Sequence, residues 1–189
     1  MFSRVIPWIA ALGETVVVLA QHNPSSSTAA RILELLVRRE RASAIPIGLT
    51  APFIFGTLLA ISGGLLRSWC YNTLGRFFTF QMGIRRDHRL ITKGPYSFVR
   101  HPSYTGAMLC SSGVWISLLS RGSWLRESGV AEYLVVQLVI ALNILLLGLI
   151  CGGMVLRISA EDAMLRKEFG KEWDEWAQRV PYRLFTGIY

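Results

Sequence analysis

The chain has 189 residues, 52% of them hydrophobic and 17% charged, against about 25% charge in ordinary soluble domains. That composition excludes disorder and an ordinary soluble globule, because so much apolar surface has too little polar cover. It fits one membrane-embedded domain. The 20 basic residues against 12 acidic ones, a net +8, lie between apolar runs, as in cytoplasmic loops beside anionic lipid rather than on a nucleic-acid-binding face.

Four apolar runs follow one another. Residues 5–21 form the first, with Glu14 inside it. Pro24-Ser25-Ser26-Ser27-Thr28 is then a loop and a helix start, and residues 29–41 read as a short amphipathic helix on the membrane interface. Residues 42–66 give 25 positions without a charge, residues 103–120 a shorter run, and residues 134–156 a longer one broken only by Gln137 and Asn143. A spanning helix needs about 20 such residues. The expected fold is therefore all-α: an integral membrane helix bundle of about four transmembrane helices, with an amphipathic C-terminal helix in the cytosol.

Charge sets the orientation. Residues 67–101 hold seven basic side chains and the segment after Leu156 holds six, whereas residues 121–133 hold only Arg121 and Arg126. Basic loops stay cytoplasmic, so the first two segments face the cytosol and residues 121–133 face the lumen. Four Arg residues between positions 21 and 41 run against this pattern. Small residues at helix-packing spacing (Gly56, Ala60 and Gly64; Gly106 and Cys110; Gly148 and Gly152) suggest close helix contacts.

Several kinds of chemistry are missing from the sequence. It has no dinucleotide-binding glycine motif, no phosphate-binding Walker loop, no nucleophile elbow and no zinc-protease motif. Cys70, Cys110 and Cys151 are widely spaced, and His22, His88 and His101 are not paired at ligand spacing, so neither a disulfide framework nor a metal site is expected.

Two segments carry the chemistry that remains. Residues 88–106 contain Gly94-Pro95, a turn signal, then Arg100-His101 ahead of Pro102. A residue before proline is pushed to an extended conformation, and Pro102 suits the first turn of a helix, where free backbone N–H groups can meet an anion. Tyr104 and Gly106 follow on that turn. In the second segment Arg157 and Glu161 stand four apart beyond the longest apolar run, on one helix face. Leu165, Phe169, Trp173, Trp176 and Val180 continue as one apolar stripe at helical spacing.

Together, Leu74-Gly75, Gly94-Pro95-Tyr96, Val99-Arg100-His101-Pro102 with Tyr104 and Gly106, Arg157-Ile158 with Glu161-Asp162, and Phe169-Gly170 resemble the isoprenylcysteine carboxyl methyltransferase family. The resemblance implies a methyltransferase core over residues 67–189, preceded by N-terminal membrane helices and a linker over residues 1–66. It implies S-adenosyl-L-methionine as cofactor and prenylated protein C-termini, or prenylcysteine itself, as partner, at the lipid bilayer, with no nucleic acid and no metal. In a eukaryote the location would be the endoplasmic reticulum membrane, with the site facing the cytosol. Gly94, Pro95, Tyr96, His101, Tyr104 and Glu161 would contact the cofactor. Arg157 would face the substrate carboxylate, making Arg157 and Glu161 the expected catalytic pair. The same residues would also suit a related enzyme methylating a phospholipid amine, and a non-enzymatic membrane scaffold is the reading from another class.

Overall fold

The structure, a computed structural model, describes residues 2–38, 47–77 and 89–189, with side chains from residue 7 onward. Among the described residues every regular element is helical: α1 Phe2–Gln21, α2 Ser27–Leu36, α3 Ala51–Leu74, α4 Pro102–Leu119, α5 Trp124–Glu127, α6 Leu134–Phe169 and α7 Lys171–Arg179, with short 3-10 turns at Gly75–Phe77, Gly94–Ser97 and Val130–Glu132. They form two compact units, Met1–Ala60 with Ser111–Gly148 and Ile61–Cys110 with Leu149–Tyr189.

Two stretches, Ala51–Phe77 and Leu134–Phe169, are long and apolar enough to cross a membrane. Helices this apolar also occur as the cores of soluble proteins, but those are mostly buried. Here only 17% and 6% of the most apolar windows are covered by protein, and Leu138, Leu142, Leu145 and Leu149 stand exposed along α6. So much uncovered leucine fits helices surrounded by lipid better than helices in water.

In the first unit α1, α2 and α5 pack around Ala10, Val17, Val37, Leu118, Trp124 and Leu125. Ser26 caps α2 by accepting from the Ala29 amide. The Trp124 indole N–H donates to the Leu36 carbonyl at 3.0 Å. Its ring needs a glycine opposite, since a Cβ on Gly13 would lie 2.8 Å from it.

In the second unit Cys70, Tyr96, Trp173, Trp176 and Val180 form the core. Here α3 and α4 approach until only glycine fits. A Cβ on Gly63 would meet the Cys110 nitrogen at 2.4 Å, and one on Gly106 would meet the Gly63 carbonyl oxygen at 2.8 Å.

Several sequence-based boundaries move. The helix expected over residues 29–41 starts earlier and ends at Leu36, with Val37 extended. The second apolar run becomes helical only at Ala51, where Pro52 occupies the first turn. It then continues past Arg67 to Leu74, because one long charged side chain does not end a helix. The predicted start of that run, residues 42–46, lies outside the described residues, as do Arg85, Arg86 and His88. Of the small residues expected to pack closely, Gly56 and Gly106 do, a Cβ on Gly56 lying 2.6 Å from the Ser117 nitrogen, but Gly63 takes the place of Gly64, and Cβ atoms on Gly64, Gly148 and Gly152 would meet nothing within 4 Å. The stripe from Leu165 to Val180 is not one helix. Gly170 breaks it at φ +52, and α7 folds Trp173 and Trp176 onto the same core as Leu165 and Phe169.

Candidate active site

The described residues from 89 to 101 lead into α4 through the turn at Gly94–Ser97. Gly94 has φ +61, and a Cβ there would lie 3.1 Å from Thr73 Oγ1, so this turn is built for glycine. Pro95 and Tyr96 are buried beneath it. The Tyr96 carbonyl accepts the Trp176 indole N–H at 3.1 Å. Burial, with Cys70 beside it, pushes the Tyr96 phenol well above its ordinary range, so it stays neutral. The Tyr96 side chain packs into the core, while Pro95 contributes to the wall of an apolar cleft.

His101 sits immediately before Pro102, the first residue of α4, as the proline restriction on its predecessor requires. Its carbonyl caps the helix, accepting from the amides of Tyr104 at 3.0 Å and Thr105 at 3.3 Å. Those two donors are therefore spoken for, and the expected anion site at this helix start is largely closed from within.

The His101 ring is 7% exposed and lies between two carboxylates of α6. Nε2 is 2.9 Å from Asp162 Oδ1, and Nδ1 is 3.8 Å from Glu161 Oε2. The Tyr104 ring stacks on it, centroids 5.7 Å apart and planes 8° from parallel. The Tyr104 hydroxyl donates to Glu161 Oε2 at 2.7 Å and also meets Arg157. The four residues expected from the sequence to do chemistry, His101, Tyr104, Arg157 and Glu161, are thus gathered at one place.

Asp162 is the member that sequence reasoning missed. It is 5% exposed. Oδ1 faces His101, while Oδ2 accepts from Arg100 Nη1 at 2.9 Å and has Arg183 Nε at 3.5 Å. Burial pulls the Arg100 guanidinium below its usual value, and Asp162 opposes that. A signal for Asp162 was present. Consecutive helix residues point about 100° apart, so if Glu161 meets Tyr104 the neighbouring acid has to find its own cations.

Arg183 belongs to a strap formed by the chain after α7. The amides of Arg100 and His101 donate to the carbonyls of Tyr182 at 2.9 Å and Arg183 at 2.8 Å. Arg100 Nη2 donates to Pro181 O at 3.1 Å, and Thr105 Oγ1 donates to Leu184 O at 2.5 Å. Four consecutive carbonyls of the strap therefore hold residues 100–105. Beside it lies an apolar cleft of about 240 Å³ whose lining includes Leu66, Trp69, Phe98, Pro102, Thr105 and Phe185. Among the described residues no group of three His, Cys, Asp or Glu side chains could hold a metal ion.

Residues 56–126 match the model of the isoprenylcysteine carboxyl methyltransferase family. The chain is 35% identical over 129 residues to protein-S-isoprenylcysteine O-methyltransferase B of Arabidopsis thaliana, covering 67% of this chain and 56% of that one. It is 32% identical over 127 residues to a probable protein-S-isoprenylcysteine O-methyltransferase of Oryza sativa subsp. indica, covering 66% and 56%. With the Schizosaccharomyces pombe protein-S-isoprenylcysteine O-methyltransferase the identity is 30% over 121 residues, covering 63% and 43%. The chain spans about half the length of the curated relatives it matches. The matched segment runs into α4 through His101 and Tyr104, and with these relatives it establishes that the chain belongs to the isoprenylcysteine carboxyl methyltransferase family.

Proposed function

We propose that this protein uses S-adenosyl-L-methionine to methylate the C-terminal carboxylate of a prenylated cysteine, giving the methyl ester. The observation that supports this best is the cluster of His101, Tyr104, Arg157 and Glu161 in a protein of this family, with an apolar cleft lined in part by Pro102 and Thr105 of the same first turns of α4. The donor set fits the cofactor. Glu161 keeps 27% of its side chain exposed while Asp162 keeps 7%, so Glu161 is the carboxylate available to a positively charged ligand. Glu161, His101, Tyr104 and the backbone of Gly94, Pro95 and Tyr96 would hold it.

When bound, the cofactor supplies a methyl group on a positively charged sulfur. A carboxylate acceptor is already ionised at neutral pH, so the chain has no proton to remove. Its work is alignment. Arg157 has the planar fork that grips a carboxylate in two places, and its place after the apolar stretch of α6 puts it where lipid gives way to water. The cleft lining suits an isoprenoid chain entering sideways from the bilayer. A phospholipid amine would instead have to lose a proton, and that chemistry needs a base.

We assign the methyltransferase core to residues 67–189. The full arrangement has four spans, with the first and third formed by α1 and α4. The site faces the cytosol, at the endoplasmic reticulum in a eukaryote.

The decisive assay offers the purified protein radiolabelled cofactor with either farnesyl-cysteine or phosphatidylethanolamine. Base-labile methyl ester on farnesyl-cysteine alone is the expected result. Label in the phospholipid alone, or in neither, overturns the proposal.

A further inference from the structure

We infer that Asp162 is a positioning residue: its carboxylate fixes which nitrogen of His101 carries the proton and so decides what the ring presents to a ligand. This rests on the proposed role of His101 at the cofactor. The two oxygens of Asp162 have different partners, Oδ1 the His101 Nε2 and Oδ2 the Arg100 guanidinium, each at 2.9 Å. A carboxylate paired with Arg100 can only accept hydrogen bonds. Nε2 must therefore bear the hydrogen, and in a neutral imidazole that leaves the lone pair on Nδ1. Nδ1 is the nitrogen on the Glu161 side, 3.8 Å from its carboxylate, where Tyr104 and Arg157 also converge. The ring thus offers an acceptor where the ligand would sit, and its donor is spent on the buried side.

An asparagine at 162 keeps the shape and reverses this arrangement. The Arg100 end has only donors, so the amide oxygen must turn to Arg100 and the amide nitrogen to His101 Nε2. Two donors cannot face each other, so Nε2 becomes the acceptor and the hydrogen moves to Nδ1. There it points toward the Glu161 carboxylate, 3.8 Å away, and the ring no longer offers an acceptor to a ligand.

The test uses the full chain in detergent or nanodiscs with ¹⁵N-labelled histidine, the His101 signal being the one lost in His101→Gln. The wild type should show the hydrogen on Nε2, and Asp162→Asn should show it on Nδ1. Cofactor affinity should fall about tenfold or more in Asp162→Asn, the scale of one hydrogen bond to a charged group, while the KM for farnesyl-cysteine changes little. Asp162→Glu keeps an acceptor-only group and should restore the Nε2 form. A wild-type ring bearing hydrogen on Nδ1, or an Asp162→Asn ring unchanged from wild type, overturns the inference. The wild-type spectrum alone decides against it if the variant does not fold. If the tautomers behave as expected but no form binds the cofactor, the positioning role stands and the proposed function fails.

Discussion

Trp176 of α7 donates its indole N–H to the carbonyl of Tyr96, 80 residues away in the chain, at 3.1 Å in a buried setting. One hydrogen bond thereby ties α7 to the turn that leads into His101. Trp176→Phe keeps most of the apolar ring but leaves the Tyr96 carbonyl unpaired. The expected cost is about 1–3 kcal/mol of stability, read as a lowered unfolding midpoint in detergent.

The α3–α4 contact supplies a comparison between adjacent glycines. Gly63→Ala places a methyl group 2.4 Å from the Cys110 backbone nitrogen, whereas Gly64→Ala meets nothing within 4 Å. Gly63→Ala should destabilise by about 1–3 kcal/mol through overpacking. Gly64→Ala should be neutral or stabilising by up to about 1 kcal/mol, from helix propensity alone. Thermal unfolding of the two variants side by side checks the assignment, and equal midpoints would refute it.

Arg157 and Glu161 should fail in different ways. Arg157→Lys keeps the charge and loses the bidentate fork, so use of farnesyl-cysteine should fall by roughly 30- to 1000-fold in kcat/KM, the range for one oriented charge contact. Glu161→Gln should mainly raise the cofactor concentration required. Steady-state kinetics varying each substrate in turn separate the two effects. Near-wild-type constants in both variants would make these residues structural.

The cleft should discriminate by chain length. Phe98 is 62% exposed and contributes to the cleft wall. Phe98→Ala removes apolar contact worth about 1–2 kcal/mol, so the KM for farnesyl-cysteine should rise roughly 5- to 30-fold at an unchanged KM for the cofactor. An acceptor with a shortened isoprenoid should feel the substitution less, and competition kinetics between the two acceptors measure that difference.

The orientation is checked with engineered glycosylation sites. An acceptor sequon within residues 121–133 should be modified and one after Arg179 should not. Modification of the second and not the first would invert the proposed topology.

The helical class and the two longest spans were legible because an apolar run of that length has one economical structure in lipid. The gathering of His101, Tyr104, Arg157 and Glu161 was legible only through the resemblance, since no spacing rule joins residues about sixty positions apart. Asp162 and Arg183 were harder to find. Asp162 is an ordinary acid on a charged helix until the fold places Arg100 and His101 against its two oxygens. The kink at Gly170 escaped because the stripe across it keeps perfect helical period. A positive φ there changes the direction of the chain without changing the pattern.

The strap consists of contacts between residues about 80 positions apart in the chain, such as Arg100 and Pro181 at 81. Closing so long a loop is entropically slow, and distant pairings of this kind tend to be completed late in folding. The amides of Arg100 and His101 lie outside any helix yet owe their protection to the carbonyls of Tyr182 and Arg183. In hydrogen exchange they should open together, at a free energy below that of the helices they adjoin. Release of the strap then frees residues 100–105 from the chain after α7 while every helix stays folded, and the exchange rate of those two amides measures how often it occurs.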